Sequence, residues 1–125
     1  MKSNSKKKIV AFDLDDVLCR RDKREGGPEK YHSCVPVQPM IDVVNKCYDS
    51  GMKVVIYTAR GMNIFDGNIT KVYSKLYELT KKQVNDWGIK HHTLVMGKQE
   101  YDILIDDKAV NSTKIKDLDD VLRWI

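Results

Sequence analysis

The sequence predicts an α/β domain built on a parallel sheet, and three observations carry that reading. Short apolar runs at Ile9–Phe12, Lys53–Tyr57, His92–Met96 and Tyr101–Ile105 alternate with stretches whose apolar residues recur at helical spacing. Polar residues stand just past the end of each run, where ligands gather in such sheets: Asp13 and Asp15, Thr58, Lys98, and the pair Asp106-Asp107. The third observation is size, since 125 residues suit one core and not two. The expected division is therefore a basic flexible tail at residues 1–8 and a single domain over 9–125.

Ile9-Val-Ala-Phe12 is short, β-branched and apolar throughout, as a strand buried on both faces should be. Residues 14–38 carry Arg20, Arg21, Lys23, Arg24, Gly26, Gly27, Pro28 and Pro36, and read as a long surface flap. Met40, Ile41, Val43, Val44, Cys47 and Tyr48 then mark a helix, with Pro39 suited to its first turn and Gly51 to its stop. After the strand at Lys53–Tyr57, Gly61, Asn63, Asp66, Gly67 and Asn68 mark a loop. Apolar residues return at Val72, Tyr73, Leu76, Tyr77 and Leu79, and Thr80-Lys-Lys-Gln83 has the capping-box form of a helix starting, or restarting, near Thr80. His92–Met96 is the weakest strand and Tyr101–Ile105 a firmer one. Leu118, Val121, Leu122 and Ile125 place a helix at the end, and Trp87 and Trp124 fall on apolar helix faces, where core positions are expected.

Charge and cysteine content exclude several classes. Four of the 22 Lys and Arg residues lie in the first eight positions, leaving 18 against 18 carboxylates over 9–125, so the net +4 is a tail property and no nucleic-acid patch is expected. No apolar run approaches the roughly 18–20 residues that span a bilayer, and the tail lacks the apolar core of a secretory signal, so a cytoplasmic protein with no membrane partner is expected. Cys19, Cys34 and Cys47 form no C-x-x-C pair and suggest neither a disulfide framework nor a zinc knuckle. Gly97-Lys98 is not a P-loop, because Gln99 stands where Ser or Thr is required.

Positions i and i+2 of an extended segment point the same way, so Asp13 and Asp15 can face one small ligand. With Asp16, Asp106 and Asp107 gathered at the same sheet end, five carboxylates would repel unless a cation joined them, and hard oxygen ligands select Mg²⁺. A phosphate substrate would then need compensating donors, which Thr58 and Lys98 can supply.

In this order, Asp13-Leu-Asp15, Thr58, Lys98 and Asp106-Asp107 resemble the four motifs of the haloacid dehalogenase superfamily. Tyr57-Thr-Ala-Arg-Gly-Met62, Asp66-Gly-Asn68, Met96-Gly-Lys98 and Ile105-Asp-Asp-Lys-Ala109 are further similar to small, nearly capless phosphatases of capsule and surface-polysaccharide biosynthesis. The resemblance, spanning about residues 9–111, implies a three-layer Rossmann-type parallel sheet with a flap as its minimal cap. It implies a Mg²⁺-dependent phosphomonoesterase acting on a small phosphorylated metabolite, a sugar or small-alcohol phosphate. Asp13 would be the nucleophile that becomes an aspartyl-phosphate and Asp15 the acid/base. Thr58, Ala59 and Lys98 would bind the phosphoryl oxygens, and Asp13, Asp15 through its backbone carbonyl, and Asp106 would hold the metal. Asp107, Arg60 and Asn111 are further candidates, Arg60 either on substrate or in a surface ion pair.

Two departures qualify the resemblance. The common form has Gly after the second Asp, where this chain has Asp16. A self-sufficient cap would need roughly 60–100 extra residues, which neither 16–38 nor 60–79 supplies, so the pocket should be open unless a neighbouring subunit of a homo-oligomer covers it. Two other classes fit less well. A receiver-type phosphoacceptor places its acidic residues before the Thr and its Lys last, whereas here an acidic pair follows Lys98. A catalytically silent binding module would have no need of every required side chain.

Overall fold

The computed structural model describes residues 7–21 and 27–125. Its sheet is three-stranded and parallel, with strand order β1 (Ile9–Phe12), β4 (Lys53–Tyr57), β5 (Thr93–Val95). Ile9 pairs with Lys53 and Phe12 with Ile56, while Ile56 pairs with Leu94. One face therefore presents Phe12, Val54, Ile56 and Leu94, all buried. Two small strands, β2 (Cys19–Arg20) and β3 (Val35–Pro36), form a separate antiparallel ladder.

Helix α1 (Gln38–Asp49) has Pro39 in its first turn, where the missing N–H is no loss, and buries Ile41, Val43, Val44 and Cys47. It packs on β4, and the short helix α3 (Leu118–Leu122) packs on α1. Helix α2 (Ile69–Asp86) runs unbroken for 18 residues, started by the Asn68 side chain accepting from Lys71 N. It buries Val72, Leu76, Thr80 and Val84. Asn45 ties α1 to the turn beyond α2, donating to Gly88 O and accepting from Lys90 N. Asp117 caps α3 in a reciprocal capping box with Asp120. No helix among the described residues is long and apolar enough to cross a membrane.

Several expectations are corrected. No helix starts at Thr80, which lies within α2: its hydroxyl donates to Leu76 O one turn back, and the true cap is Asn68. Tyr101–Ile105 forms no strand, and every residue from 101 to 110 is exposed, Ile103 at 75% and Ile105 at 90%. With no fourth strand beside it among the described residues, β1 is an edge of the sheet and not an interior strand. The second sheet face carries Ile9, Ala11, Lys53, Tyr57 and Thr93, all exposed, with Val55 and Val95 half-buried among them, so it is less covered than the first. The flap is no surface excursion, because Leu14, Leu18, Cys19, Tyr31 and Cys34 all enter the core. Trp124 is 57% exposed, since α3 ends at Leu122 and does not carry it inward, whereas Trp87 packs against the core. Most of the tail expected at residues 1–8 lies outside the described residues, as do residues 22–26 of the flap.

Candidate functional site

The chain leaves β1 at Phe12, and Asp13 follows at the carboxyl end of the sheet. Its Oδ1 accepts from Leu14 N at 2.8 Å, and its Oδ2 lies 3.7 Å from Lys98 Nζ. Burial pushes the Asp13 carboxyl above the ordinary carboxylate range, and Asp15 and Asp16 add to the rise while Lys98 and the Leu14 amide oppose it.

Lys98 is aimed by backbone pairing beyond the strands. Thr58 N donates to Val95 O at 3.0 Å and Lys98 N donates to Thr58 O at 3.1 Å, so the parallel pairing of β4 and β5 continues up to the lysine. Its ammonium lies over the rings of Tyr57 at 5.5 Å and Tyr101 at 5.3 Å, a cation–π cradle that limits its directions. Thr58 itself is 1% exposed, and its Oγ1 accepts from Arg60 N at 3.0 Å, which leaves the hydroxyl proton available to another acceptor. Ala59 is half-buried and opens the turn closed by Met62 N donating to its carbonyl.

Asp15 faces inward. Arg60 donates to both of its oxygens, Nε to Oδ2 at 3.1 Å and a terminal nitrogen to Oδ1 at 2.9 Å. Arg60, only 2% exposed, is saturated by its other partners: Thr80 Oγ1 at 3.2 Å, Gln83 Oε1 at 2.6 Å and the face of Tyr31 at 4.6 Å. Gln83 Nε2 in turn donates to Tyr31 O at 2.7 Å, and the Tyr31 hydroxyl accepts from Gly61 N at 3.0 Å. Burial works against the guanidinium charge, but the Asp15 carboxylate outweighs it and stabilises the protonated form. Neither expectation for Arg60, a substrate contact or a surface ion pair, describes this interior pairing.

Cys19 and Cys34 complete the cluster. Their thiols reach Asp15 Oδ1 at 3.3 and 3.9 Å, and Arg60 stands 3.7 and 3.6 Å from the two sulfurs. The Cys34 thiol is drawn below its ordinary value, first by the hydrogen bond from Cys19 and then by Arg60, and Cys19 is pushed up in turn. Three oxygen and sulfur donors so close could suggest a metal centre. The Arg60 guanidinium already supplies the cation that this donor set would attract, so the arrangement does not point to Mg²⁺.

Asp16 adopts φ +68°, the left-handed conformation that glycine takes without strain and Asp tolerates better than most residues. A polar hollow of about 350 Å³ lies next to Lys98 in the chain, lined by Asn63, Asp66, Gly67, Gln99 and Glu100 among others. Asp13 does not line it.

The expected constellation is assembled in part. Asp13, Asp15, Thr58, Ala59 and Lys98 share the end of the sheet, whereas Asp106, Asp107 and Asn111 do not join them. Asp106 is fully exposed and held below its ordinary value by Asp107 and by the Lys108 and Asp107 amides, while Asn111 caps the 3₁₀ turn Ser112–Lys114. The charges acting on Asp13 are those of Lys98, Asp15 and Asp16; those acting on Asp106 come from its own neighbours. Tyr31, Cys19, Cys34, Thr80 and Gln83 were not anticipated in the site: the first three lie in the flap, outside any apolar period, while Thr80 shares the i+4 spacing of Val72, Leu76 and Val84 and that spacing could have marked it as interior.

No known family and no curated protein matches this sequence. A crystal structure of a target protein from Vibrio cholerae is similar in fold, with a TM-score of 0.73 at 24% identity over 85% of this chain and 85% of that one. At that identity the likeness shows a shared α/β fold alone.

Proposed function

We propose that the chain is a magnesium-dependent phosphomonoesterase of the haloacid dehalogenase type, acting on a sugar or small-alcohol phosphate. The observation that carries this reading is the approach of Lys98 Nζ to Asp13 Oδ2, 3.7 Å, at the exit of a parallel strand. An exposed oxygen of Asp13 attacks phosphorus while the bond to the ester oxygen breaks, and the phosphoryl group passes to the carboxylate. For acid/base work the Asp15 carboxylate has to leave its pairing with Arg60 and take up a proton; it then gives that proton to the leaving oxygen and takes one from the water that cleaves the aspartyl-phosphate. Until then Arg60 holds the Asp15 side chain inward, turned from the metal. Lys98 and the Thr58 hydroxyl stabilise the phosphoryl oxygens as charge builds on them.

The donor set fits magnesium in part: the Asp13 carboxylate and the Asp15 backbone carbonyl are hard oxygens at the strand end, and the third ligand expected, Asp106, stands apart. Magnesium, when bound, would supply charge neutralisation that lets an anionic ester approach Asp13. The reading therefore includes a rearrangement in which Tyr101–Ile105 adds to the free edge of β1 and carries Asp106 and Asp107 to Asp13. Two features support it. The edge of β1 presents unpaired backbone groups, and Tyr101-Asp-Ile-Leu-Ile105 is an apolar strand former left in solvent. The three-layer arrangement, with both sheet faces covered, belongs to the same proposal, as does a second copy of the chain over the open pocket.

The test is phosphate release from an aryl phosphate. Release with Mg²⁺ and its loss on chelation are expected; turnover that persists in excess chelator would overturn the reading. Light scattering at the assay concentration tests the second copy, which a monomer would contradict.

A further inference from the structure

The cysteines differ in a way the proposed reaction does not use. All three are buried and reduced, but Cys47 lies in the core face of α1 while the sulfurs of Cys19 and Cys34 fall within 4.8 Å of one another. Both approach the same oxygen of Asp15 and the same nitrogen of Arg60. We propose that Cys19 and Cys34 are a redox-active pair, a modification site that takes low-molecular-weight disulfides of the glutathione class and closes to an intramolecular disulfide.

The geometry needs a short movement. A disulfide requires sulfurs about 2.05 Å apart, and side-chain rotation with a small backbone shift covers the remaining distance. The local backbone allows this, because Cys34 sits between the 3₁₀ turn Pro28–Ser33 and the strand β3, whose ladder with β2 has only two residue pairs. Val35 and Pro36 are exposed, so opening that ladder uncovers little apolar surface. Cys34, at 9% exposure, is the more accessible residue of the two; Cys19 is fully buried.

The exchange balances. Cys34 sulfur attacks one sulfur of the small disulfide, its proton goes to solvent, and one small thiolate leaves and takes up a proton. Cys19 sulfur then attacks the mixed disulfide at Cys34, loses its proton, and expels the second small thiol. Two protein thiols are oxidised and one disulfide is reduced to two thiols. Closure removes both S–H groups from Asp15 and links β2 to the segment before β3. The thiol chemistry stands apart from the phosphatase reading; only its effect on turnover would depend on it.

The experiment treats the intact chain with oxidised glutathione and reads mass and tryptic peptides, after circular dichroism shows each variant folded. Expected are the loss of two hydrogen masses, a cross-link between the peptides 9–20 and 31–46, and recovery of the thiols with dithiothreitol. Cys47 should stay reduced, and Cys34→Ser should leave no bridge while Cys47→Ser bridges normally. No cross-link in the folded protein under conditions that bridge it in urea would overturn the proposal. So would oxidation of Cys47 to the same extent, or a stable glutathione adduct on Cys34 that Cys19 does not resolve. The phosphate assay on the same samples is a separate reading, and its outcome leaves the thiol result unchanged.

Discussion

Arg60 grips Asp15 with two parallel hydrogen bonds, 2.9 and 3.1 Å, from a side chain that is fully enclosed. A planar guanidinium matched to a carboxylate is the geometry that lysine cannot reproduce. Removing it strands a mostly buried carboxylate beside two thiols. Arg60→Met should therefore lower stability by about 3 kcal/mol, as for other broken interior ion pairs. Urea unfolding measures it. The double variant Asp15→Asn with Arg60→Met should lose less than the sum of the two singles, and strict additivity would show that the pair is not coupled.

Gly61 is held between Arg60 and Met62 with φ +81°, and a Cβ there would meet Leu76 Cδ1 at 2.5 Å. Gly67 has a similar φ of +77° with nothing within 4 Å. Gly67→Ala should cost about 1 kcal/mol from backbone strain alone, and Gly61→Ala about 3 kcal/mol, because overpacking against α2 is added. Paired denaturation curves check the order. Equal losses would mean that Leu76 gives way freely.

His91 is poised for an acid-dependent effect. Its Nδ1 lies 2.8 Å from Ile89 O and its Nε2 3.3 Å from Lys81 Nζ, so the neutral ring donates on one side and accepts on the other. Burial holds its pKa below the ordinary 6.5; the Ile89 carbonyl opposes this, while Lys81 and His92 add to it. With the folded value depressed, the unfolded chain binds the proton more readily. The contribution is full above about pH 6.5 and is lost as pH falls through the folded value. The urea midpoint should fall between about pH 7.5 and about pH 5.5, and His91→Gln should flatten that fall. An unchanged slope would remove His91 as its source.

How much of this was legible is uneven. The strands at Ile9–Phe12 and Lys53–Tyr57 and the helix after Pro39 follow from apolar period and turn chemistry, and the structure places them there. The juxtaposition of Asp13 with Lys98 follows from strand order, since both leave the same end of the sheet. Tyr101–Ile105 has strand composition without strand pairing, because β-propensity needs a neighbour that local sequence does not name. The Asp15–Arg60 cluster was hidden for another reason. Tyr31, Cys34, Thr80 and Gln83 converge from the flap and from α2, and each alone looks like a loop or helix residue.

The unpaired edge of β1 and the exposed segment after Lys98 lead to a prediction about magnesium. If Asp106 joins Asp13 around the ion, the amides of residues 102–106 should slow in hydrogen exchange when Mg²⁺ is added. Asp106→Asn should abolish that protection while leaving exchange in α1 unchanged. Protection that is the same with and without the ion would contradict the rearrangement.

Asp13 is the centre of the account, and acid-quenched labelling tests it most directly. The protein is mixed with phosphate-labelled substrate and Mg²⁺, quenched, digested, and the peptide 9–20 is read for label. Label is expected on that peptide, released by hydroxylamine as an acyl phosphate should be, and absent from a folded Asp13→Asn variant. Phosphate release by Asp13→Asn at the wild-type rate would contradict it.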